Sequence, residues 1–173
     1  MLISLNKEVE DTKRLVEIIQ KDGWMDSDTV IVNCSPDYSS ILCQILNHSI
    51  SKVNNNELYE MVPLEMPYPT MSQVWNKEKT EYQTFDSYLN EWVKTYVQKS
   101  YKYLFLDSGT LRGKNFSKVR AYIRDKADCK FGCLYLQDDS IFKPDYFVEK
   151  FNFNNQGGLI FEWENPKNPN WNY

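Results

Sequence analysis

One stretch of the sequence, residues 103–116, places a carboxylate directly before a run of small and hydrogen-bonding residues. It reads YLFLDSGTLRGKNF, so four apolar residues lead into Asp107. A carboxylate at the end of a buried strand can accept hydrogen bonds from hydroxyl groups. A glycine-containing loop in front of a helix can turn several amides toward one point and hold an anion. A phosphorylated sugar would satisfy both halves, and a purely structural turn is the alternative.

The residue types assign the two halves to particular positions. Asp107 is the candidate catalytic residue, as the group that holds the sugar hydroxyls. The positive charges of Arg112 and Lys114 favour an anion at the following loop. The predicted phosphate-binding segment contains Ser108, Gly109, Thr110, Leu111, Arg112, Gly113, Lys114 and Asn115.

The elements around this stretch alternate between helices and strands. Apolar residues at helical spacing predict helices over residues 8–21, from residue 41 onward, and over residues 85–97 and 116–126. Short apolar runs predict strands at residues 29–34, 58–62, 103–106, 130–137 and 157–165, with an irregular connection over residues 140–152. Such alternation predicts an α/β fold, a mostly parallel twisted sheet flanked by helices, in one domain covering residues 1–173. Ligands of such sheets bind at the carboxyl ends of the strands.

The bulk composition excludes several classes of protein. The chain has 173 residues, 42% of them hydrophobic, which is enough for one packed core. A net charge of −4 argues against nonspecific nucleic-acid binding, because that binding neutralises many phosphates. No apolar run approaches the roughly 18 residues of a membrane span, so we expect a cytoplasmic protein. The abundance of Asn, Lys and Tyr suggests an AT-rich genome such as that of a phage. We expect buried thiols rather than a metal site or disulfides at Cys34, Cys43, Cys129 and Cys133.

The stretch around Asp107 resembles the phosphoribosyl pyrophosphate motif of the type I phosphoribosyltransferases. That motif has four apolar residues, two acidic residues, three variable positions and then Thr-Gly-X-Thr. The match holds at the strand, at Asp107 and at Gly113, and it fails at Ser108, Arg112 and Asn115. A later KPDY, an apolar strand and FEWE are similar to the ending of the purine-specific members. The resemblance covers residues 25–165 and implies a phosphoribosyltransferase-like fold with a small hood.

The resemblance also implies roles for loops outside the motif. The loop after the first strand would hold pyrophosphate with Mg²⁺, although it lacks Gly, Lys and Arg; its candidate residues are Ser35, Asp37, Ser39 and Ser40. A purine-like base would stack on Phe142, Tyr146 and Trp163, for which core packing is the alternative. Residues 66–84 lie where the family has a mobile hood loop, or they form an oligomer contact. Residues 166–173 are predicted to be a loose tail.

One departure bears on catalysis. The purine branch often has a proton-transferring acidic residue at the position of Leu111. Because this acid is missing, a rate enhancement of about 10²- to 10⁴-fold from general acid–base catalysis would have to come from another residue. His48 is expected to be structural or exposed and is a poor substitute.

Two functional hypotheses therefore stand side by side. In one, the protein is a divergent phosphoribosyltransferase that moves ribose 5-phosphate between pyrophosphate and a purine-like base with Mg²⁺. In the other, it is a noncatalytic regulatory module that binds a nucleotide or phosphate, and a structural or assembly protein is a further alternative. Whether the chain is an enzyme stays open at this point. We expect the protein to bind a phosphorylated small molecule, either phosphoribosyl pyrophosphate or a nucleotide, and to bind neither a membrane nor nucleic acid. A homodimer is compatible with this expectation.

Overall fold

The computed structural model of the chain describes residues 2–34, 36–51, 58–67, 73–75, 80–110, 112–152 and 160–161. The strands in these ranges are β1 Leu2–Ile3, β2 Thr29–Cys34, β3 Glu60–Leu64, β4 Gln73–Trp75, β5 Tyr82–Thr84, β6 Lys102–Thr110, β7 Asp128–Gln137, β8 Tyr146–Phe151 and β9 Ile160–Phe161. The helices are α1 Leu5–Asp22, α2 Pro36–Ser51, α3 Phe85–Tyr96 and α4 Lys114–Ile123.

Five strands form a parallel sheet in the order β3-β2-β6-β7-β8. Strand β2 is nearly all buried, as its continuous β-branched sequence predicts for a strand covered on both faces. Two small pairs lie outside this sheet, β1 with β9 in parallel and β4 with β5 antiparallel. The predicted α/β class with a mostly parallel sheet is confirmed. Within the described ranges, no helix combines the length and apolar character that crossing a bilayer requires.

The two faces of the sheet are covered by different helices. Along β2, Val30 and Val32 pack with α3 and α4, whereas Ile31 between them packs with α1 and α2. This is the alternation of side chains along a strand. The carboxyl edge of the sheet is therefore bounded by helices on both sides.

The helix boundaries follow local signals in the sequence. Helix α1 begins after Ser4, whose side chain accepts a hydrogen bond from the Lys7 amide at 3.2 Å, and ends at Gly23 with φ 66°. Helix α3 begins after Thr84, which accepts from the Ser87 amide. Both helices bury the apolar stripe that their spacing predicts.

Three boundaries differ from the sequence-based expectation. Strand β6 continues to Thr110, well past the predicted end at residue 106, because it pairs with β7 as far as Thr110. Helix α4 begins at Lys114, directly after Gly113. The connection predicted as irregular, residues 140–152, contains β8, an edge strand that is partly exposed and so carries Glu149 and Lys150 within it.

The segments named as hood and tail are only partly within the described ranges. The hood segment, residues 66–84, contains the β4–β5 pair, while residues 68–72 and 76–79 lie outside the description. The tail, residues 166–173, lies wholly outside it. Of the final predicted strand, residues 160–161 are described, and they pair with β1.

Candidate functional site

The topology of the sheet opens a crevice at the carboxyl ends of β2 and β6. These strands are neighbours, yet the helix that follows β2 covers one face and the helix that follows β6 covers the other. Helices that leave adjacent strands toward opposite faces create the crevice in which ligands of open α/β sheets bind. Asp107 lies on β6 at this crevice.

Asp107 is placed between two buried thiols. It pairs in register with Cys133 of β7, and on the other side β2 ends at Cys34, one residue beyond the Asn33–Leu106 pair. Both cysteines are fully buried, whereas Asp107 is half-buried. The Asp107 carboxylate accepts hydrogen bonds from the amides of Ser108 and Gly109.

This environment changes the acidity of Asp107. Burial raises the pKa of its carboxyl from 3.8 to about 7, although the amide hydrogen bonds of Ser108 and Gly109 oppose the rise. The neighbouring thiols do not compensate, because burial also raises the pKa of Cys34 and Cys43, and that of Cys133 to about 12. All three are protonated and uncharged at neutral pH. Asp107 can therefore both accept and donate a hydrogen bond near pH 7.

The residues directly after Asp107 are strand rather than loop, which corrects the sequence-based expectation. Ser108 and Thr110 are 1% and 5% exposed, and Gly109 pairs with Tyr135 of β7. The hydroxyl and the amide of Thr110 both hydrogen-bond to Cys133. These groups are engaged by the sheet and do not form an open anion loop. Leu111 lies outside the described residues.

The segment that can face an anion is therefore the short turn at Arg112 and Gly113 with the first residues of α4. Gly113 has φ 72°, in the left-handed region, and no side chain caps the amides at the start of α4. Arg112 and Lys114 are exposed, and in the described part of the chain neither has an ion-pair partner. Uncapped amides and two exposed cations together favour binding of an anion.

This turn is held rigidly from one side. The Ile141 amide donates to the Arg112 carbonyl at 3.3 Å. A Cβ on Gly113 would lie 2.3 Å from Phe142 Cβ and 2.7 Å from Ser140 Oγ, so only glycine fits the position. On the other side, the Asn115 amide group donates to the Pro67 carbonyl at 3.0 Å. Asn115 thus ties the start of α4 to the segment after β3.

The loop predicted to hold pyrophosphate is very short. Strand β2 ends at Cys34 and α2 begins at Pro36, so the predicted positions 37, 39 and 40 lie in the helix. Ser39 is fully buried, and its hydroxyl contacts both Asn33 Oδ1 and the Cys34 carbonyl, to one of which it donates its single proton. Ser39 therefore fastens α2 to β2. Ser35 and the side chains of Asp37 and Ser40 lie outside the described residues.

The structure does not bring the predicted base-stacking rings to Asp107. Phe142 is 5% exposed and lies 5.4 Å from Phe116 and 5.1 Å from Phe131, measured between ring centroids. Tyr146 is 4% exposed and begins β8, the outer strand two positions from β6, where it packs on the α1 side of the sheet and its hydroxyl donates to Asp22. Both rings are packed in the core, because their strand and helix neighbours cover them. Trp163 lies outside the described residues.

The described side chains do not form a cluster of metal ligands. Within the described residues no group of three acidic, His or Cys side chains is placed to hold a metal. Mg²⁺ takes six oxygen ligands and often obtains several from phosphates and water. The described residues therefore do not fit a Mg²⁺ site made by the protein alone. His48 is exposed near the end of α2.

Sequence reasoning missed three features of this edge: the two thiols beside Asp107, the Asn33–Ser39 contact and the Ser140–Phe142 wall against Gly113. Only the last had a signal in the sequence, a lone glycine immediately before a helix. The others depend on which strands become neighbours.

Comparisons with known proteins agree with this architecture. No family model and no curated protein matches the chain. Among solved structures, a purine phosphoribosyltransferase from Pyrococcus horikoshii Ot3 is similar with a TM-score of 0.62 at 13% identity, over 95% of this chain and 94% of that one. The Helicobacter pylori xanthine-guanine-hypoxanthine phosphoribosyltransferase is similar with a TM-score of 0.60 at 14% identity, over 94% and 90%.

A third similar structure is a hypothetical protein from Neisseria gonorrhoeae with bound ppGpp. Its TM-score is 0.65 at 12% identity, over 96% of this chain and 91% of that one. At these identities the likeness shows the fold alone. The chain has the fold of the purine phosphoribosyltransferases, as the resemblance implied.

Proposed function

We propose that the carboxyl edge of the sheet binds a nucleotide or a phosphoribosyl compound. The Asp107 carboxylate accepts hydrogen bonds from the ribose hydroxyls, and the turn from Arg112 to Asn115 binds the 5′-phosphate at the start of α4. The observation that carries the proposal is the turn at Gly113, with its uncapped amides and the exposed Arg112 and Lys114, directly after the strand that carries Asp107. The fold likeness adds support, since one similar structure contains a bound nucleotide.

Binding without catalysis is the form of the proposal that the geometry supports best. Transfer of ribose 5-phosphate requires the bond from C1′ to pyrophosphate to break and a bond from C1′ to a base nitrogen to form. The connection from β2 to α2 is too short to wrap around a pyrophosphate, and Ser39 is turned inward. These features favour a module that retains a mononucleotide over one that holds pyrophosphate for reaction.

Transfer chemistry is the second candidate, and Asp107 is the observation that favours it. A carboxyl with a pKa of about 7 can exchange a proton at neutral pH, which general acid–base catalysis requires. If the protein is a transferase, Asp107 would both accept hydrogen bonds from the ribose hydroxyls and exchange a proton with the substrate. Mg²⁺ would then be bound to the pyrophosphate group of the substrate.

Titration calorimetry with GMP, ribose 5-phosphate, phosphoribosyl pyrophosphate and inorganic phosphate tests the proposal. We expect the double variant Arg112→Ala/Lys114→Ala to weaken all four by roughly tenfold or more, because each lost charged hydrogen bond is worth about 1.5 kcal/mol or more. Asp107→Ala should weaken GMP and ribose 5-phosphate and leave inorganic phosphate nearly unchanged.

A control and a rate measurement complete the experiment. Lys13→Ala/Lys21→Ala removes the same charge from exposed positions on α1 and should not change affinity. Pyrophosphate release from phosphoribosyl pyrophosphate, Mg²⁺ and a panel of bases reports transfer directly. Turnover that Asp107→Asn abolishes would decide for the enzyme, and no binding of any of these ligands would end the proposal.

A further inference from the structure

A second concave surface lies at the amino edge of the sheet, opposite Asp107. It is a shallow depression, largely open to solvent, of about 460 Å³ where α4 ends and β7 begins, with Lys99 contributed by the segment before β6. Its charged lining consists of Lys99, Arg120, Arg124, Lys126, Asp125 and Asp128. We call it the amino-edge cavity.

The charge of the amino-edge cavity is opposite to that of the whole protein. Four cations and two carboxylates line it, and the Asp145 carboxylate that pairs with Arg120 lowers the local charge to +1, whereas the chain carries −4 overall. A concave surface with one dominant sign of charge concentrates its field within the cavity. The local field therefore favours an anion at this place.

Arg120 is held in a fixed orientation at the cavity. Its guanidinium carbon lies 4.7 Å and 4.4 Å from the ring centroids of Phe131 and Phe142, and one nitrogen donates to Asp145 at 2.8 Å. A guanidinium has five N–H donors, so the contact with Asp145 leaves others for a ligand. A cation that is already ordered loses little side-chain entropy when it binds.

Two of the other cations, Arg124 and Lys99, make no strong ion pair with a described residue. Arg124 pairs with the adjacent Asp125 at 3.5 Å, but the two side chains are 70% and 83% exposed, and such a pair contributes little. Lys99 has no ion-pair partner within the described ranges.

The negative end of α4 does not explain the cluster by itself. The Arg120 carbonyl accepts from the Arg124 amide, and the Ile123 carbonyl accepts from the amides of Lys126 and Ala127. The Lys126 ammonium donates to the Tyr122 carbonyl. The last carbonyls are thus satisfied by the chain itself and by one cation, which leaves Lys99, Arg120 and Arg124.

We propose that the amino-edge cavity binds a small multivalent anion of the phosphate type, separately from the candidate site at the carboxyl edge. Its volume admits a group such as a di- or triphosphate. Its uncharged lining is Ala127 and Cys129, so it offers no aromatic face for a nucleobase. Recognition therefore depends on charge and hydrogen bonds from the cations.

Titration calorimetry with inorganic tripolyphosphate at low ionic strength tests this site. The variant Lys99→Ala/Arg124→Ala changes two exposed residues and should weaken binding by at least about tenfold, by the loss of two charged contacts. Lys13→Ala/Lys21→Ala removes the same charge elsewhere and should change affinity less than about twofold. In ¹H–¹⁵N spectra, tripolyphosphate should shift the amides of residues 124–129 in the unaltered protein.

Several results would overturn the proposal. Equal weakening by both double variants would mean diffuse attraction, and loss only in Arg112→Ala/Lys114→Ala would mean that the anion binds the carboxyl edge. No binding at millimolar tripolyphosphate would also exclude a small-anion site. Because the variants of the two edges differ, failure here is distinguishable from failure of the proposed nucleotide site.

Discussion

Replacing Asp107 with asparagine should make the protein more stable at alkaline pH while it weakens binding of ribosylated ligands. Asparagine keeps the shape and one hydrogen-bond acceptor for the amides of Ser108 and Gly109 but cannot ionise. The native carboxyl must ionise beside the uncharged thiols of Cys34 and Cys133. Its folded-state pKa is therefore raised from 3.8 to about 7, chiefly by burial.

The sign and size of the effect follow from the raised pKa. The folded state holds the proton more tightly than the unfolded state, so the resulting stability is present below about pH 4 and is lost as pH rises toward about 7. Each unit of difference between the unfolded-state and folded-state pKa of Asp107 corresponds to about 1.36 kcal/mol, so the full loss in the free energy of unfolding is about 4 kcal/mol. Because Asp107 is only half-buried, solvent screening reduces this, and we expect about 2 kcal/mol.

Urea unfolding followed by tryptophan fluorescence measures this difference. The free energy of unfolding of Asp107→Asn should equal that of the native protein at pH 4 and exceed it by about 2 kcal/mol at pH 8. Asp138→Asn, an exposed carboxylate just beyond the end of β7, controls for the loss of one negative charge. A stability difference that stays the same at both pH values, or a variant less stable at pH 8, would refute the reasoning about Asp107.

Two further substitutions test the packing around the site. Gly113→Ala should lower the free energy of unfolding by about 3 kcal/mol or more, because the new Cβ clashes with Phe142 and the backbone at this position is left-handed. Gly23 has a similar φ but open space around it, so Gly23→Ala should lower the free energy of unfolding by only about 1 to 2 kcal/mol. Equal losses for the two variants in urea unfolding would count against the tight contact at Gly113. Asp11→Asn should cost about 2 to 3 kcal/mol at pH 7, because its buried carboxylate accepts from Tyr135 and from two cations. Burial works against ionisation of Asp11, but these hydrogen bonds outweigh it and hold its pKa below the ordinary value, so the cost should fall as pH drops below about 4. A cost at pH 3 as large as the cost at pH 7 would contradict this.

Local patterns in the sequence were sufficient for most of the elements. The β-branched run of β2 and the apolar stripes of α1 and α3 predict elements that the structure has, because burial on one stripe or on both faces leaves a regular trace. Strand β8 left no such trace. It follows Pro144, and its exposure at the edge of the sheet permits charged residues inside the strand.

For the candidate site, local patterns in the sequence predict a position in the sheet but not the packing around it. A carboxylate at the end of an apolar strand, followed by a glycine and cations, predicts a candidate binding site at the carboxyl edge on local grounds. The burial of Ser108 and Thr110 was not predictable, because it follows from pairing with β7, which begins 18 residues after Thr110 in the chain. The same holds for the thiols beside Asp107, which come from the two neighbouring strands.

Ionisation of Asp107 is unfavourable in the folded protein, and this bears on its function. A carboxyl group flanked by neutral thiols lowers the stability of the folded protein near neutral pH, and an uncharged residue of the same shape would avoid that loss. The two cations that follow Asp107 along the chain, Arg112 and Lys114, are exposed and lie beyond the end of β6. Hydroxyl groups of a ligand would add hydrogen bonds to those that the amides of Ser108 and Gly109 already give the carboxylate, so binding and ionisation of Asp107 should reinforce each other. A ribosylated ligand should consequently bind more tightly at pH 8 than at pH 6, and inorganic phosphate should show no such gain from Asp107.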